Sequence, residues 1–298
     1  MLNNKRISFK TLAILLSMVF IVSMAACNPR LPDEDVPPDD NIITIDSSLV
    51  REPTEYKPDP MPDFLDAIAE KYALNKHTVG WLHIPGTTVD DVVLAVQDPA
   101  DRNSYYLRRD FNGNHSQEGV YFADCRNKFD GTVERLSFNT TIYGHALDMK
   151  DNPDAKLFSQ LKKYWDIEFA KNHPYIFFSI AGEDLVWEIF AVYYATVDHD
   201  YINPLDTATA PVRQKFINEL KKSSIYIYED IEVTPTDKLL TLSTCVYKFT
   251  PGVYPNKYRF VITARLVNDM HFTQFANVVE NPSPLKVDDS ANRTASFS

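Results

Sequence analysis

The sequence predicts a mostly β protein with a few helices, and three observations support that fold class. Strand-like runs of apolar, β-branched and aromatic residues recur eight times between residues 80 and 267, whereas helical periodicity appears in only three segments. The 298 residues are 44% hydrophobic and 12% aromatic, which is ample apolar material for a core. Eight short strands are typical of a barrel or a sandwich.

The strand-like runs follow one another along the middle of the chain. They are Gly80–Pro85, Asp91–Val96, Gly119–Ala123, Thr140–Tyr143, Tyr175–Ser179, Leu185–Val197, Lys238–Thr244 and Tyr258–Val267. Apolar residues three or four apart predict helices at Asp63–Lys76, Lys156–Tyr164 and Val212–Lys222.

The N-terminus has the pattern of an export signal, which we assign to residues 1–26. Lys5, Arg6 and Lys10 precede an uncharged apolar run of 16 residues, shorter than the roughly 20 that span a bilayer. Met24–Cys27 resembles the lipobox of bacterial lipoproteins, which would make Cys27 the lipidated first residue. Two alternatives stay open: ordinary cleavage after Ala25, or an uncleaved run that remains as an anchor.

Residues 27–63 are expected to form an extended stalk. Asn28–Asp63 contains eight prolines and ten acidic residues against three basic ones. Such a segment buries too little apolar surface to offset its ordering entropy, and proline stiffness keeps it extended. We therefore place the folded domain at residues 64–280 and a loose polar tail at residues 281–298.

Composition and motifs exclude several classes of function. The net charge of −11, without a basic patch interleaved with aromatics, argues against nucleic acid as a partner. The three cysteines do not have the spacing of metal ligands, and one of them would be left over if two paired. Neither a zinc site nor a disulfide framework is therefore predicted. No nucleotide-binding loop or zinc-protease motif is present in the sequence.

A nucleophile and a base remain as candidates. Cys245 ends the apolar run Leu239–Cys245, so its thiol would lie at a strand terminus. His145 also follows a strand-like run, after Gly144. Taken alone, each residue type is more often structural than catalytic.

Together with their neighbours these residues resemble the signature segments of sortases, most closely those of class B. The segments are Tyr143–His145, Thr241–Cys245 and Arg259–Leu266, in the order histidine, cysteine, arginine. The resemblance covers about residues 64–267 and also includes Val79–Thr87, Tyr105–Leu107, Asp110–Gly113 and Leu157–Tyr164. Papain-like enzymes place the cysteine before the histidine, which argues against that alternative.

The resemblance implies an eight-stranded sortase-type β-barrel with an N-terminal helix and a helix before the seventh strand. It also implies a cysteine transpeptidase in which Cys245 forms a thioester, His145 moves the proton and Arg259 stabilises the oxyanion. Asn103 and Ser243 correspond to substrate-binding positions of class B, and Thr244, beside the nucleophile, could orient the substrate. No metal or organic cofactor is implied.

Arg265 competes with Arg259 because an even spacing puts both on one face of the same strand. At about 3.3 Å per residue, six positions place Arg265 about 20 Å farther along, so Arg259 is the better assignment.

The implied partners are an exported protein with a C-terminal sorting motif, a peptidoglycan amine and, through the N-terminus, the membrane of a Gram-positive cell. The catalytic domain would then lie on the extracellular face, anchored by lipidated Cys27 or by an uncleaved helix. Two alternatives are a pilin-polymerising sortase and a non-catalytic, sortase-like surface lipoprotein that acts as a binding module. The long Cys245–Arg259 connection and the extended Ala146–Ala155 segment depart from the usual class B pattern, so the substrate preference stays open.

Overall fold

The structure, a computed structural model, describes residues 56–58, 60–96, 103–251, 256–268 and 271–287. The predicted export signal, the lipidation site at Cys27, most of the stalk and the end of the C-terminal tail lie outside these residues.

Eight strands close into a β-barrel, so the barrel rather than the sandwich is the observed architecture. They are β1 Thr78–His83, β2 Asp90–Leu94, β3 Tyr121–Ala123, β4 Asn139–Tyr143, β5 Tyr175–Ile180, β6 Val186–Thr196, β8 Leu239–Cys245 and β9 Tyr258–Leu266. The ring order is β1-β2-β3-β4-β8-β9-β6-β5, and pairing of β5 with β1 closes it. All eight predicted strands are present, with bounds that differ by a few residues.

In the part of the chain that the structure describes, three α-helices lie outside the barrel: α1 Leu65–Leu74, α2 Ile167–Asn172 and α3 Ala210–Ser223. Helix α1 packs on β1, and α3 packs on β6 and precedes β8, the seventh barrel strand in chain order. The expected N-terminal helix and the expected helix before the seventh strand are therefore confirmed.

The helix expected at Lys156–Tyr164 is a 3-10 helix at Phe158–Trp165 instead. Phe158, Leu161 and Tyr164 are fully buried in it. A 3-10 helix has three residues per turn, so side chains three apart lie on one line and all three can enter the core. The same spacing suits an α-helix nearly as well, which is why periodicity alone did not separate the two.

Two short strands were not predicted, β7 Tyr226–Tyr228 and β10 Val278–Glu280, which pair with each other in a separate antiparallel sheet. Each has three residues, too few for a visible alternation of apolar and polar positions.

Packing contacts continue on both sides of residues 64 and 280, the expected limits of the folded domain. Tyr56 forms a bridge with Phe272, and Met61 packs on the same apolar cluster. At the other end, the backbone N–H of Leu285 donates to the carbonyl of Lys222 at the end of α3. Tyr56 and Met61 thus pack on the folded domain, although the proline-rich composition around them predicts an extended segment.

The principal apolar core fills the barrel and the space under its helices. Strand β6 is central to it, because nine of its 11 residues are buried and Trp187 and Ile189 are fully enclosed. Within the described residues no helix has both the length and the apolar character needed to cross a bilayer.

Candidate active site

Three strand ends meet at one edge of the barrel and bring the predicted site residues together. Strands β4 and β8 run parallel, with Tyr143 opposite Ser243, so the residues that follow both strands emerge at the same edge. Strand β9 returns antiparallel to β8 and places Arg259 directly opposite Cys245. Residues far apart in the sequence thereby become neighbours.

A cavity of about 230 Å³ opens at this edge. It is lined by Asn103, Leu107, Phe122, Tyr143, Gly144, His145, Ser243, Thr244, Cys245 and Arg259. All six residues predicted for catalysis and substrate binding thus line one cavity.

A second cavity, of about 450 Å³, shares Leu107, His145, Cys245 and Arg259 with the first. Its other lining residues include Leu147, Met149, Tyr247 and Asn256, from the segments that follow His145 and Cys245. The half-buried Cys245 therefore borders two adjoining cavities, an arrangement that can admit one ligand on each side of a thiol.

His145 is held in place from two directions. Its Nε2 lies 2.7 Å from the carbonyl oxygen of Leu107. Gly144, just before it, lies under the ring of Phe158, where an added Cβ would come within 2.6 Å of Cγ. Only glycine fits at this close approach, and the packing of Phe158 on Gly144 restrains the backbone that leads into His145.

The pKa of His145 lies below its ordinary value. Burial is the main cause, because it disfavours the imidazolium, and the positive charge of Arg108 acts in the same direction. The hydrogen bond to Leu107 raises the pKa but does not outweigh them.

Arg259 is anchored through one nitrogen. Its Nη1 donates to the carbonyls of Asn256 and Tyr258 at 2.8 and 2.9 Å. Arg265, the competing arginine, lies opposite Leu239 at the other end of β8, where it donates to Glu188 Oε2 at 2.7 Å. Of the two arginines, only Arg259 lines the cavities of Cys245.

The hydroxyl groups of Ser243 and Thr244 are both buried and engaged within the protein. Thr244 Oγ1 donates to the carbonyl of Gly144 at 2.8 Å, which ties the end of β8 to the residue before His145. Ser243 Oγ lies 2.9 Å from the hydroxyl of Tyr201. Direct contact of these hydroxyls with the substrate therefore stays a prediction. Their internal hydrogen bonds hold the end of β8 in place at the barrel edge.

Asn103 belongs to a network around a fully buried carboxylate, that of Asp124. The Asn103 amide donates to Asp124 Oδ2 at 3.0 Å, and its carbonyl oxygen accepts from the backbone N–H of Cys125 at 2.7 Å. Tyr143 and Arg126 also donate to Asp124. Cys125 is half-buried beside this network and lines neither cavity described above.

Three parts of the site were not predicted from the sequence: Asp124, Tyr201 and Leu107. Asp124 directly follows β3. An acidic residue just after an apolar run is only a weak indication of a functional position. Leu107 acts through its backbone carbonyl and Tyr201 through a distant pairing, neither of which leaves a signal in the sequence.

Comparison with known proteins agrees with the fold. The profile of the sortase domain matches residues 82–267. Sortase B of Listeria monocytogenes is 35% identical over 202 residues, which are 68% of this chain and 74% of the relative.

Solved structures give the same result. The Staphylococcus aureus sortase B-substrate complex superposes with a TM-score of 0.58 and 28% identity, covering 69% of this chain and 86% of that one. A sortase B complexed with triglycine gives a TM-score of 0.57 and 28% identity over 69% and 87% of the two chains. A barrel with a candidate cysteine nucleophile at one edge defines a cysteine acyltransferase of the sortase type. The chain belongs to the sortase family, whose members are cysteine transpeptidases, and its relatives are of class B.

Proposed function

We propose that this class B sortase cleaves a C-terminal sorting motif of exported proteins through a Cys245 thioester and transfers the acyl group to a peptidoglycan amine. The observation that carries the proposal is the position of Cys245, opposite Arg259 on the neighbouring strand and in one cavity with His145.

In the acylation step, the Cys245 thiolate attacks a backbone carbonyl carbon of the sorting motif and forms a C–S bond. The carbonyl oxygen becomes an oxyanion, which Arg259 stabilises with its fixed positive charge. When the C–N bond breaks, the imidazolium of His145 gives its proton to the leaving amine. The thioester and a neutral imidazole remain.

In the second step, the incoming amine attacks the thioester, His145 takes the proton that the amine loses, and the Cys245 thiolate leaves. Since the Leu107 carbonyl can only accept, Nε2 of His145 keeps its proton. Nδ1 is therefore the nitrogen that gains and loses a proton in both steps.

The two adjoining cavities support two ligands at one thiol. The chain's solved relatives include one sortase B bound to a substrate and another bound to triglycine. We assign the cavity beside Asn103 and Tyr143 to the sorting motif. The cavity beside Leu147 and Met149 remains for the amine.

A peptide library incubated with the purified enzyme and with amine nucleophiles, read by mass spectrometry, tests this function. We expect peptide cleavage, a covalent adduct on Cys245, and a product joined to a peptidoglycan-type amine. Cys245→Ala should abolish all three. Cys125→Ala, the matched control at a half-buried cysteine outside the cavities, should keep the wild-type rate.

Transpeptidation by the Cys245→Ala variant would contradict the mechanism. A preference for a lysine side chain as acceptor would favour pilin polymerisation, and absence of any adduct would favour the non-catalytic binding module.

We also propose that the catalytic domain acts on the extracellular face of the membrane of a Gram-positive cell. The charged start and apolar run of residues 1–26 support export, and Met24–Cys27 supports lipidation at Cys27. An uncleaved apolar run would give the same orientation.

A further inference from the structure

A buried ion pair joins the segment that follows His145 to the 3-10 helix at Phe158–Trp165. The side chain of Lys162, on the 3-10 helix, is 0% exposed, and its Nζ lies 3.0 Å from Oδ1 of Asp151, which is 7% exposed. Charged side chains are rarely this deeply buried, because each loses its hydration. Removal of one partner would leave the other as an uncompensated buried charge, so what each partner holds in place decides the effect of the pair.

Asp151 holds the backbone just beyond Cys245. Both of its carboxylate oxygens accept from the backbone N–H of Tyr247, at 3.0 and 2.8 Å. Asp151 itself lies in the segment that begins at His145, in a left-handed conformation with φ of 59°. A single carboxylate therefore links the chain after His145 to the chain after Cys245.

The charge of Lys162 is what allows Asp151 to remain a buried carboxylate. The pKa of Lys162 lies below its ordinary value because burial outweighs the hydrogen bond and charge of Asp151 and the charges of a Cys245 thiolate and Asp148, all of which oppose the shift. Without the ammonium group, Asp151 would be an uncompensated charge in the interior, and its segment would have to move to reach water.

We propose that Asp151 and Lys162 are positioning residues that set the thiol of Cys245 against His145 by clamping the backbone at Tyr247. The inference rests on the proposed function only in that Cys245 is the nucleophile. The two residues line neither cavity of Cys245, and they act through the backbone that follows each catalytic side chain.

The chain supplies a matched pair as a control. Lys163 and Asp154 come from the same 3-10 helix and the same segment, and Nζ lies 3.3 Å from Oδ1. Their side chains are 26% and 79% exposed, so water compensates for the loss of either.

Two double variants without any unpaired charge give the sharpest test. Lys162→Met with Asp151→Asn keeps an oxygen acceptor for the Tyr247 N–H, whereas Lys162→Met with Asp151→Ala removes it. Thermal unfolding comes first, to confirm that both variants are folded at the assay temperature. The alkylation rate of Cys245 by iodoacetamide and single-turnover acylation on the library-selected peptide are then measured.

We expect the Asn variant to stay within about threefold of wild type in both rates. The Ala variant should lose at least about tenfold in the acylation rate at saturating peptide, with the half-saturating peptide concentration little changed, because displacement of a reacting group costs rate rather than substrate binding. Lys163→Met with Asp154→Asn should match wild type. Lys162→Met alone, where it folds, should be at least as slow as the Ala variant.

Equal rates for the Asn and Ala variants would overturn the proposal, as would a loss of rate that only follows a loss of folded protein. A slow Asn variant would also overturn it, because direct stabilisation of the thiolate by Lys162 would then be the better account. Alkylation needs no peptide, so a wild-type enzyme that alkylates at Cys245 but fails to acylate would count against the proposed function alone.

Discussion

At the residue scale, the decisive feature is the one-to-one pairing of Cys245 with Arg259 across the β8–β9 ladder. Two backbone carbonyls hold Nη1 of Arg259, so the guanidinium is oriented before any substrate binds. A preoriented donor costs no reorganisation during the reaction, which is why such groups stabilise oxyanions well.

Arg259→Ala should therefore slow single-turnover acylation by about 10² to 10³, the usual effect of one oxyanion donor. Arg259→Lys should recover only part of that rate, because lysine keeps the charge but lacks the planar fork. The measurement is the acylation rate of folded protein at saturating peptide.

Arg265→Ala is the control, since that arginine pairs with Glu188 at the far end of the strand. Its acylation rate should stay close to wild type even if the variant is less stable. A slower Arg265→Ala than Arg259→Ala would reverse the assignment of the oxyanion donor.

The lowered pKa of His145 gives a second prediction at this scale. The imidazolium should form only below the range of an unperturbed histidine, about 6.5, because burial and Arg108 both oppose it. Arg108→Gln removes a like charge, so the pKa of His145 should rise. An NMR titration of the ring protons measures both values.

Arg135→Gln, at an exposed position on another segment, should leave the His145 titration unchanged. An unchanged or lower pKa in Arg108→Gln would show that the Arg108 charge does not act on this ring.

At the element scale, Asp124 organises the junction of β3 and β4 beside the first cavity. Burial raises the pKa of its carboxyl group, but hydrogen bonds from the Arg126 side chain and backbone and from Tyr143 outweigh it and lower the pKa overall. The same carboxylate orients Asn103, so the wall of the cavity depends on it.

Asp124→Asn should cost about 3 kcal/mol of unfolding free energy at pH 7, the lower end for a broken buried pair, because Arg126 can still reach water. A carboxyl group whose pKa is depressed on folding stabilises the fold above its unfolded pKa and loses that effect as the pH falls through its folded pKa. The difference from wild type should therefore be complete at pH 7 and shrink below a pH of about 4.

Urea unfolding at both pH values measures this difference. Asp130→Asn, at an exposed neighbouring position, should change the free energy by less than about 0.5 kcal/mol. A difference that grows in acid would have the wrong sign for this network.

At the scale of the whole molecule, residues 1–63 are expected to hold the catalytic domain at the membrane. If Met24–Cys27 is a lipobox, Cys27→Ser should abolish labelling by a fatty-acid probe and release the protein into the medium. Fractionation of cells that express each form measures both.

Cys125→Ser is the control for the loss of a cysteine and should leave labelling and location unchanged. Membrane association that persists in Cys27→Ser would favour the uncleaved apolar run as the anchor.

The sequence alone was sufficient for the features that are local or lie in short motifs. The eight barrel strands are visible as apolar runs because each strand is buried along its own length and needs apolar residues there. His145, Cys245 and Arg259 were found in order because each belongs to a short segment that resembles its sortase counterpart. Cys27 and the export signal are local in the same way, and their roles remain predictions.

Only the tertiary structure decided the features that depend on residues far apart in the chain. The strand pattern by itself left a barrel and a sandwich open, and the resemblance to sortases implied the barrel; the pairing that closes the ring joins β1 to β5. Strand spacing in the sequence already favoured Arg259 over Arg265, and the register adds that Arg259 lies directly opposite Cys245. Asp124 and the Lys162–Asp151 pair are polar residues whose burial depends on distant partners, so no local period marks them. Hydrophobic periodicity records which face of an element is buried, but not which other element covers it.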